Sequence, residues 1–236
     1  MPFPTFGEAA ILLSTVNDAG LLRHLSALPE VPDCVVLAVG RDTVPELVDE
    51  CTTLGVGGAV VFASGFAETG NAELQRKLLA AASGMPLMGP NCYGFVNTLS
   101  RAALWPDETG LEPVERGVAL ITQSGNIACN FTMMRRGLPV VAVFSIGNQV
   151  DIGMAEMVEA LSAIAPVYVT DVVDVLSALE MIAKLGDLCG ASDRSIQLAR
   201  EIRREWDSIP RPSKVLRAAY LIWREPWMAA GPNTYI

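Results

Sequence analysis

From residue 34 onward, apolar positions come in short unbroken runs separated by longer stretches in which they recur every three or four residues. CVVLAVG (34–40) is apolar without alternation, the pattern of a strand buried on both faces. RDTVPELVDECTTLG (41–55) then carries the start and stop signals of a helix. Asp42 or Thr43 can cap it, Pro45 suits its first turn, Glu46 favours its positive end and Gly55 closes it. GAVVFAS (58–64) predicts a second strand, NAELQRKLLAAASG (71–84) a second helix and PLMG (86–89) a short third strand. The passage from Gly89 to Gly117 is rich in Pro, Gly and polar residues and shows no long periodic segment, which sets an expected domain boundary near residue 115. A second unit follows, with VALITQ (118–123) and PVVAVFSIG (139–147) as strands, and SGNIACNFTMMRRG (124–137) and DIGMAEMVEALSAI (151–164) as helices.

Beyond Pro166 the texture changes. VYVT (167–170) reads as a strand, followed by helices over 174–190 and 192–209, with Gly190 as C-cap of the first and Ser192 as N-cap of the second. The second of these is strongly charged, the pattern of a helix with one face in water. VLRAAYLIW (215–223) reads as a last strand. The rhythm as a whole predicts an α/β protein built of parallel sheets with helices on both faces: a Rossmann-like half, a flavodoxin-like unit and an α/β tail with a long helix. The expected domains are 1–115, 116–163 and 164–236.

Composition narrows the partners. The 236 residues are 51% hydrophobic and 18% charged, ample for a buried core. A net charge of −9 argues against a nucleic-acid backbone or an anionic membrane, both of which reward clustered cations. The apolar runs are too short for the roughly 20 residues that span a bilayer, and no secretory signal is legible, so the expected compartment is the cytoplasm. Five scattered cysteines without a CxxC, and a single histidine, His24, support neither a disulfide framework nor a zinc site.

Four strand-to-loop transitions concentrate the polar chemistry. FASGFAETG (62–70) brings Gly65 and Gly70 into a loop beyond a strand's carboxyl end, where open α/β sheets bind ligands; the alternative is an ordinary tight turn. GPNCYG (89–94) offers Asn91 and Cys92 at another strand end, with no histidine beside Cys92 to support a Cys–His nucleophile. ITQSGN (121–126) puts Ser124 and Gly125 at a helix start, a cradle for phosphate or carboxylate and equally a common structural cap. FSIGNQVD (144–151) adds Gly147, Asn148 and Gln149. No residue is assigned a catalytic role, and no metal site is expected.

These segments, in this order over about residues 28 to 160, resemble the nucleoside-diphosphate-forming acyl-CoA synthetases, the superfamily of acetate–CoA ligase and the succinyl-CoA ligase α-subunit. The resemblance implies a coenzyme A site along Val39, Gly40, Ser64, Gly65 and Phe66, with Asn91, Cys92 and Tyr93 at the turn between CoA and a phosphorylated histidine, and Ser124, Gly125 and Asn126 at the helix start that receives the phosphate. It also implies an ATP-grasp partner chain. Departures accompany it: residues 1–28 hold no G-x-G-x-x-G but a Pro-rich start and one amphipathic stretch, and no histidine lies beyond residue 160. The expected role is therefore the CoA- or acyl-CoA-binding part of an acid–CoA ligase, incomplete as an enzyme. The tail, about 163–236, resembles helical-backbone metal receptors of the cobalamin and iron-chelate type, which would place Trp223, Trp227 and Met228 near a flat ligand; the same aromatics would equally serve to close a core. Two partial families joined near residue 160 suggest a chimera. The alternatives to the CoA reading are thus a cobalamin or metal-chelate module and a ligand-free scaffold, and unpaired sheet edges would favour a homo-oligomer.

Overall fold

The computed structural model describes residues 30–210 in full, together with the backbone of Ala10–Ser14, Leu221–Trp223 and Met228–Ala229. The chain divides into two units, Met1–Pro166 and Val167–Ile236.

The first unit is built on two sheets. Strands β1 (Ala10–Ser14), β2 (Cys34–Ala38), β3 (Ala59–Val61) and β4 (Leu87–Met88) form the first, all parallel and laid side by side in chain order. The expectation that 1–28 contributes only an amphipathic stretch is corrected here. AILLS pairs with β2 from Ala10 opposite Cys34 to Ser14 opposite Ala38. His24 lies outside the described residues.

Helices α1 (Val44–Leu54) and α2 (Ala72–Ala82) make the crossovers and pack against each other, the Thr52 hydroxyl donating to the carbonyls of Ala81 and Ala82 at 3.0 and 3.2 Å. Thr43 occupies the N-cap of α1, Pro45 lies in its first turn and Gly55 ends it in the left-handed conformation. Asn71 caps α2 by accepting from the Leu74 amide at 3.3 Å.

Side chains alternate across the first sheet. Val35, Leu37, Ala59, Val61 and Leu87 face α1 and α2, whereas Val36, Val60 and Met88 face the opposite way. That opposite face is covered by the second sheet, β6 (Ala102–Leu104), β5 (Gly94–Asn97), β8 (Val140–Ser145) and β7 (Val118–Thr122), in that spatial order. Leu104, Phe95, Phe144 and Ile146 meet Val36 and Val60 in a shared core, with Met154 and Met157 of α4 (Met154–Ser162) at its margin. α3 (Gly125–Thr132) covers the far side of the second sheet, where Ala128 packs with Val96, Val143 and Trp105.

The α/β class and the parallel pairing of β7 with β8 agree with the sequence pattern, and β5 adds an antiparallel partner to β6 and β8. The passage 89–117 supplies two short strands, β5 and β6, which join β7 and β8 in one sheet. The turn into β5 requires glycine, because Gly94 has φ +85° and a Cβ there would run into the Leu104 carbonyl.

In the second unit, α5 (Val175–Leu188) and α6 (Ser192–Ser208) form a hairpin. Its crossing is tight at Gly186, where a Cβ would collide with Ser195. Two expected caps shift: Ala191, not Ser192, precedes α6, and Cys189, not Gly190, closes α5. The expected strand 167–170 is absent. Tyr168 and Val169 are exposed and, among the described residues, no strand lies alongside to complete a ladder, so β-branched composition alone does not make one. Of the expected strand 215–223 the described part is β9 (Leu221–Trp223), paired antiparallel with β10 (Met228–Ala229), and 215–220 lie outside the described residues. Among the described residues no helix is long and apolar enough to cross a membrane.

The fully buried Leu37 at the helix-facing side of β2 tests this layering. Leu37→Ala is expected to cost about 2–5 kcal/mol in urea unfolding, whereas Leu138→Ala, at an exposed site, should change stability by less than about 0.5 kcal/mol.

Candidate functional site

Both sheets send their parallel strands in directions that bring the following loops together at one end of the first unit. Asn91, in a left-handed conformation with φ +57°, donates its amide to the Ala63 carbonyl just past β3 at 2.8 Å. Its side-chain amide donates to Asn148 Oδ1 at 3.5 Å, and the Asn148 amide donates to the Pro90 carbonyl at 2.8 Å. The amide of Tyr93 donates to the Ser145 hydroxyl at 3.2 Å. Gly147, with φ +58°, allows this closeness, because a Cβ there would lie 2.6 Å from the Asn91 carbonyl oxygen and 2.7 Å from Cys92 Cβ.

Tyr93 is the hub. Its ring meets Phe62 edge-on at 5.4 Å between centroids and Trp105 at 5.3 Å. On the side of α3, a Cβ on Gly125 would come within 2.6 Å of the Tyr93 ring, so only glycine lets the helix start approach. Ser124 caps α3, its hydroxyl accepting from the Ile127 amide at 3.4 Å. Burial, with the Cys129 thiol and the Asp107 carboxylate nearby, pushes the Tyr93 hydroxyl up from its ordinary value.

The β2–α1 loop joins from the other side. Arg41 Nη1 donates to the Gly65 carbonyl at 3.2 Å, and Gly65 adopts φ +100°. Glu68 reaches back so that its two carboxylate oxygens accept from the amides of Gly65 at 2.5 Å and Phe66 at 3.0 Å. The start of α3 is a helix N-terminus whose positive end favours an anion, whereas at α1 the Thr43 and Val44 amides donate to the Gly40 and Arg41 carbonyls and Pro45 carries no N–H.

The candidate residues separate by what they expose. Gly40, Ser64, Asn91 and Asn126 are exposed, and Val39, Tyr93, Ser124 and Gly125 are half-buried. The Phe66 side chain is fully buried in the core beneath α1 and α2, so only its backbone faces the loop. Cys92 is buried as well. Its thiol donates to the carbonyls of Val61 and Met88 at 3.6 and 3.5 Å, and burial pushes it up to about 12, so it is a core residue and not a nucleophile. Trp223 and Met228 are backbone partners across β9 and β10, and Trp227 lies outside the described residues.

Arg41 and Glu68 are the additions that sequence reasoning missed. Arg41 directly follows Gly40, which was a usable signal. Glu68 acts through a side-chain bond to backbone two and three residues earlier, and that leaves no periodic trace.

With this geometry in place, comparison with known proteins defines a class. Residues 13–98, the stretch that holds most of the first sheet and the loops after β2, β3 and β4, match the family model described as the CoA binding domain. The chain is 34% identical over 148 residues to a trans-feruloyl-CoA synthase of an unknown prokaryotic organism, covering 59% of this chain and 21% of that protein. It is also 34% identical over 131 residues to the ADP-forming acetate–CoA ligase of Methanocaldococcus jannaschii, covering 54% of this chain and 18% of that protein. Among solved structures, an apo dinucleotide-forming acetyl-coenzyme A synthetase 1 of Ca. Korarchaeum cryptofilum superposes with a TM-score of 0.53 at 26% identity, covering 70% of this chain and 38% of that one. The chain therefore spans about a fifth of the length of these curated relatives.

The state of Cys92 is directly testable. With burial pushing its thiol up to about 12, Cys92 stays protonated at pH 8. Iodoacetamide at pH 8 should label the exposed Cys189 in the native chain and leave Cys92 unmodified by mass spectrometry until denaturant is added. The same shift has a sign for stability. The unfolded thiol ionises near its ordinary 9.0 and the folded one only near 12, so stability falls as pH rises through that window.

Proposed function

We propose that the first unit is the coenzyme A- or acyl-CoA-binding part of an ADP-forming acid–CoA ligase, and that the remaining steps of the cycle require an ATP-grasp partner. The observation that carries this reading is the convergence of the loops after β2, β3, β4, β7 and β8 through the contacts of Asn91 with Ala63 and Tyr93 with Gly125. Such a cluster at the carboxyl ends of parallel strands is where an open α/β sheet takes a dinucleotide-like ligand.

The residues fit that ligand. Gly40 has no atom within 4 Å of where a Cβ would stand, so the chain passes an open space at the end of β2. Arg41 provides a cation beside it, and Ser64 and Asn91 expose hydrogen-bonding groups on the same rim. Val39, Gly40, Ser64 and Gly65 would lie along CoA. Asn91 and Tyr93 would stand between it and the start of α3, where Ser124, Gly125 and Asn126 would receive a phosphoryl group. CoA supplies the thiol that carries the acyl group; this chain's own residues bind and orient it.

Gly40→Asp tests the reading cleanly, since the open space accommodates the side chain and its charge opposes an anionic ligand. Isothermal titration of the parent chain with CoA should give saturable binding, weakened about tenfold or more by Gly40→Asp with no change in melting temperature. Equal affinity in parent and variant, or no binding at millimolar CoA, contradicts it.

A further inference from the structure

The amides of Gly65 and Phe66 point the same way, forming a small concave pair of donors of the kind that holds an oxyanion. In this chain an anion already sits there: the Glu68 carboxylate, accepting from both amides at 2.5 and 3.0 Å. On its other side the Gly65 peptide is held by Arg41, whose guanidinium donates to the Gly65 carbonyl at 3.2 Å. The Gly65 peptide is therefore clasped at both ends, amide by Glu68 and carbonyl by Arg41.

The clasp has a purpose that follows from backbone freedom. The amides of Thr69 and Asn71 hold the later part of the loop through the Phe66 carbonyl, but Gly65, at φ +100°, is in a region that glycine leaves as readily as it enters. The Phe66 side chain anchors the loop below by full burial, and Gly70 closes it at φ +86°, but neither fixes the orientation of the 64–65 peptide. Glu68 does, its carboxylate taking the N–H of the 64–65 peptide from Gly65 and that of the 65–66 peptide from Phe66. It also takes the donors that a ligand phosphate would otherwise use.

We infer that Glu68 is a positioning residue of the CoA site: its carboxylate fills the Gly65–Phe66 amide pair, fixes the loop that presents Ser64, and leaves ligand phosphates to the start of α3 and Arg41. This rests on the CoA reading of the site. Glu68 touches no reacting group and so acts on affinity through the loop alone.

The experiment uses the full chain with Glu68→Ala and Glu68→Gln, reading amide hydrogen exchange at Gly65 and Phe66 and CoA affinity by titration. Glu68→Ala is expected to lose protection at both amides and to bind CoA about tenfold more weakly. Glu68→Gln, which keeps one acceptor oxygen, should recover part of both. A simple structural defect would lower the melting temperature without this rescue pattern. Unchanged protection in Glu68→Ala, or CoA bound as tightly or more tightly than by the parent, overturns the role of Glu68 while leaving the CoA reading standing. A parent chain that does not bind CoA overturns both.

Discussion

The packing of one sheet on the back of another is the constraint from which the site follows. Val36, Val60 and Met88 on the first sheet meet Leu104, Phe144 and Ile146 on or beside the second, and this apolar contact fixes how the two sets of strand ends face each other. Without it, the β3 loop and the β8 loop would be separate turns. With it, residues 89–93 have to bridge them, and that bridge is where Asn91 reaches back to Ala63 while Pro90 receives the Asn148 amide. The gathering of these loops is thus a consequence of core packing one layer below.

The sequence made the helical layer of the first sheet readable because local rules decide it. Thr43, Pro45 and Gly55 bracket α1, Asn71 caps α2, and the unbroken apolar runs of β2 and β3 match strands covered on both faces. Where tertiary pairing decides, the pattern was silent or misleading. GFVN and AAL are short and embedded among glycines and prolines, yet they become β5 and β6 because β8 offers a ladder to β5 and β5 one to β6. VYVT has the better composition but no strand partner among the described residues, and stays irregular. AILLS becomes β1 by lying along β2.

The candidate site divides along the same line. Strand-end loops holding Gly65, Asn91, Ser124 and Gly147 were identifiable because glycine and small polar residues at strand ends carry backbone information. What each side chain does was not. Phe66 and Cys92 are core residues whose backbone happens to pass the site, and Glu68 works by a bond to the main chain that no spacing rule detects. Gly125 is required by the Tyr93 ring, a contact between residues far apart in the chain. The functional assignment consequently leans on the resemblance to CoA ligases and on the match over 13–98, with the geometry explaining why those loops act together.

A hydrogen-exchange footprint of the full chain with saturating CoA addresses that joint action most directly. The account requires slowed exchange together in the loops at 39–43, 62–70, 89–93 and 122–126, with the α5–α6 hairpin unchanged. Protection confined to one of these loops, or appearing instead on the hairpin, would contradict a shared site at the strand ends.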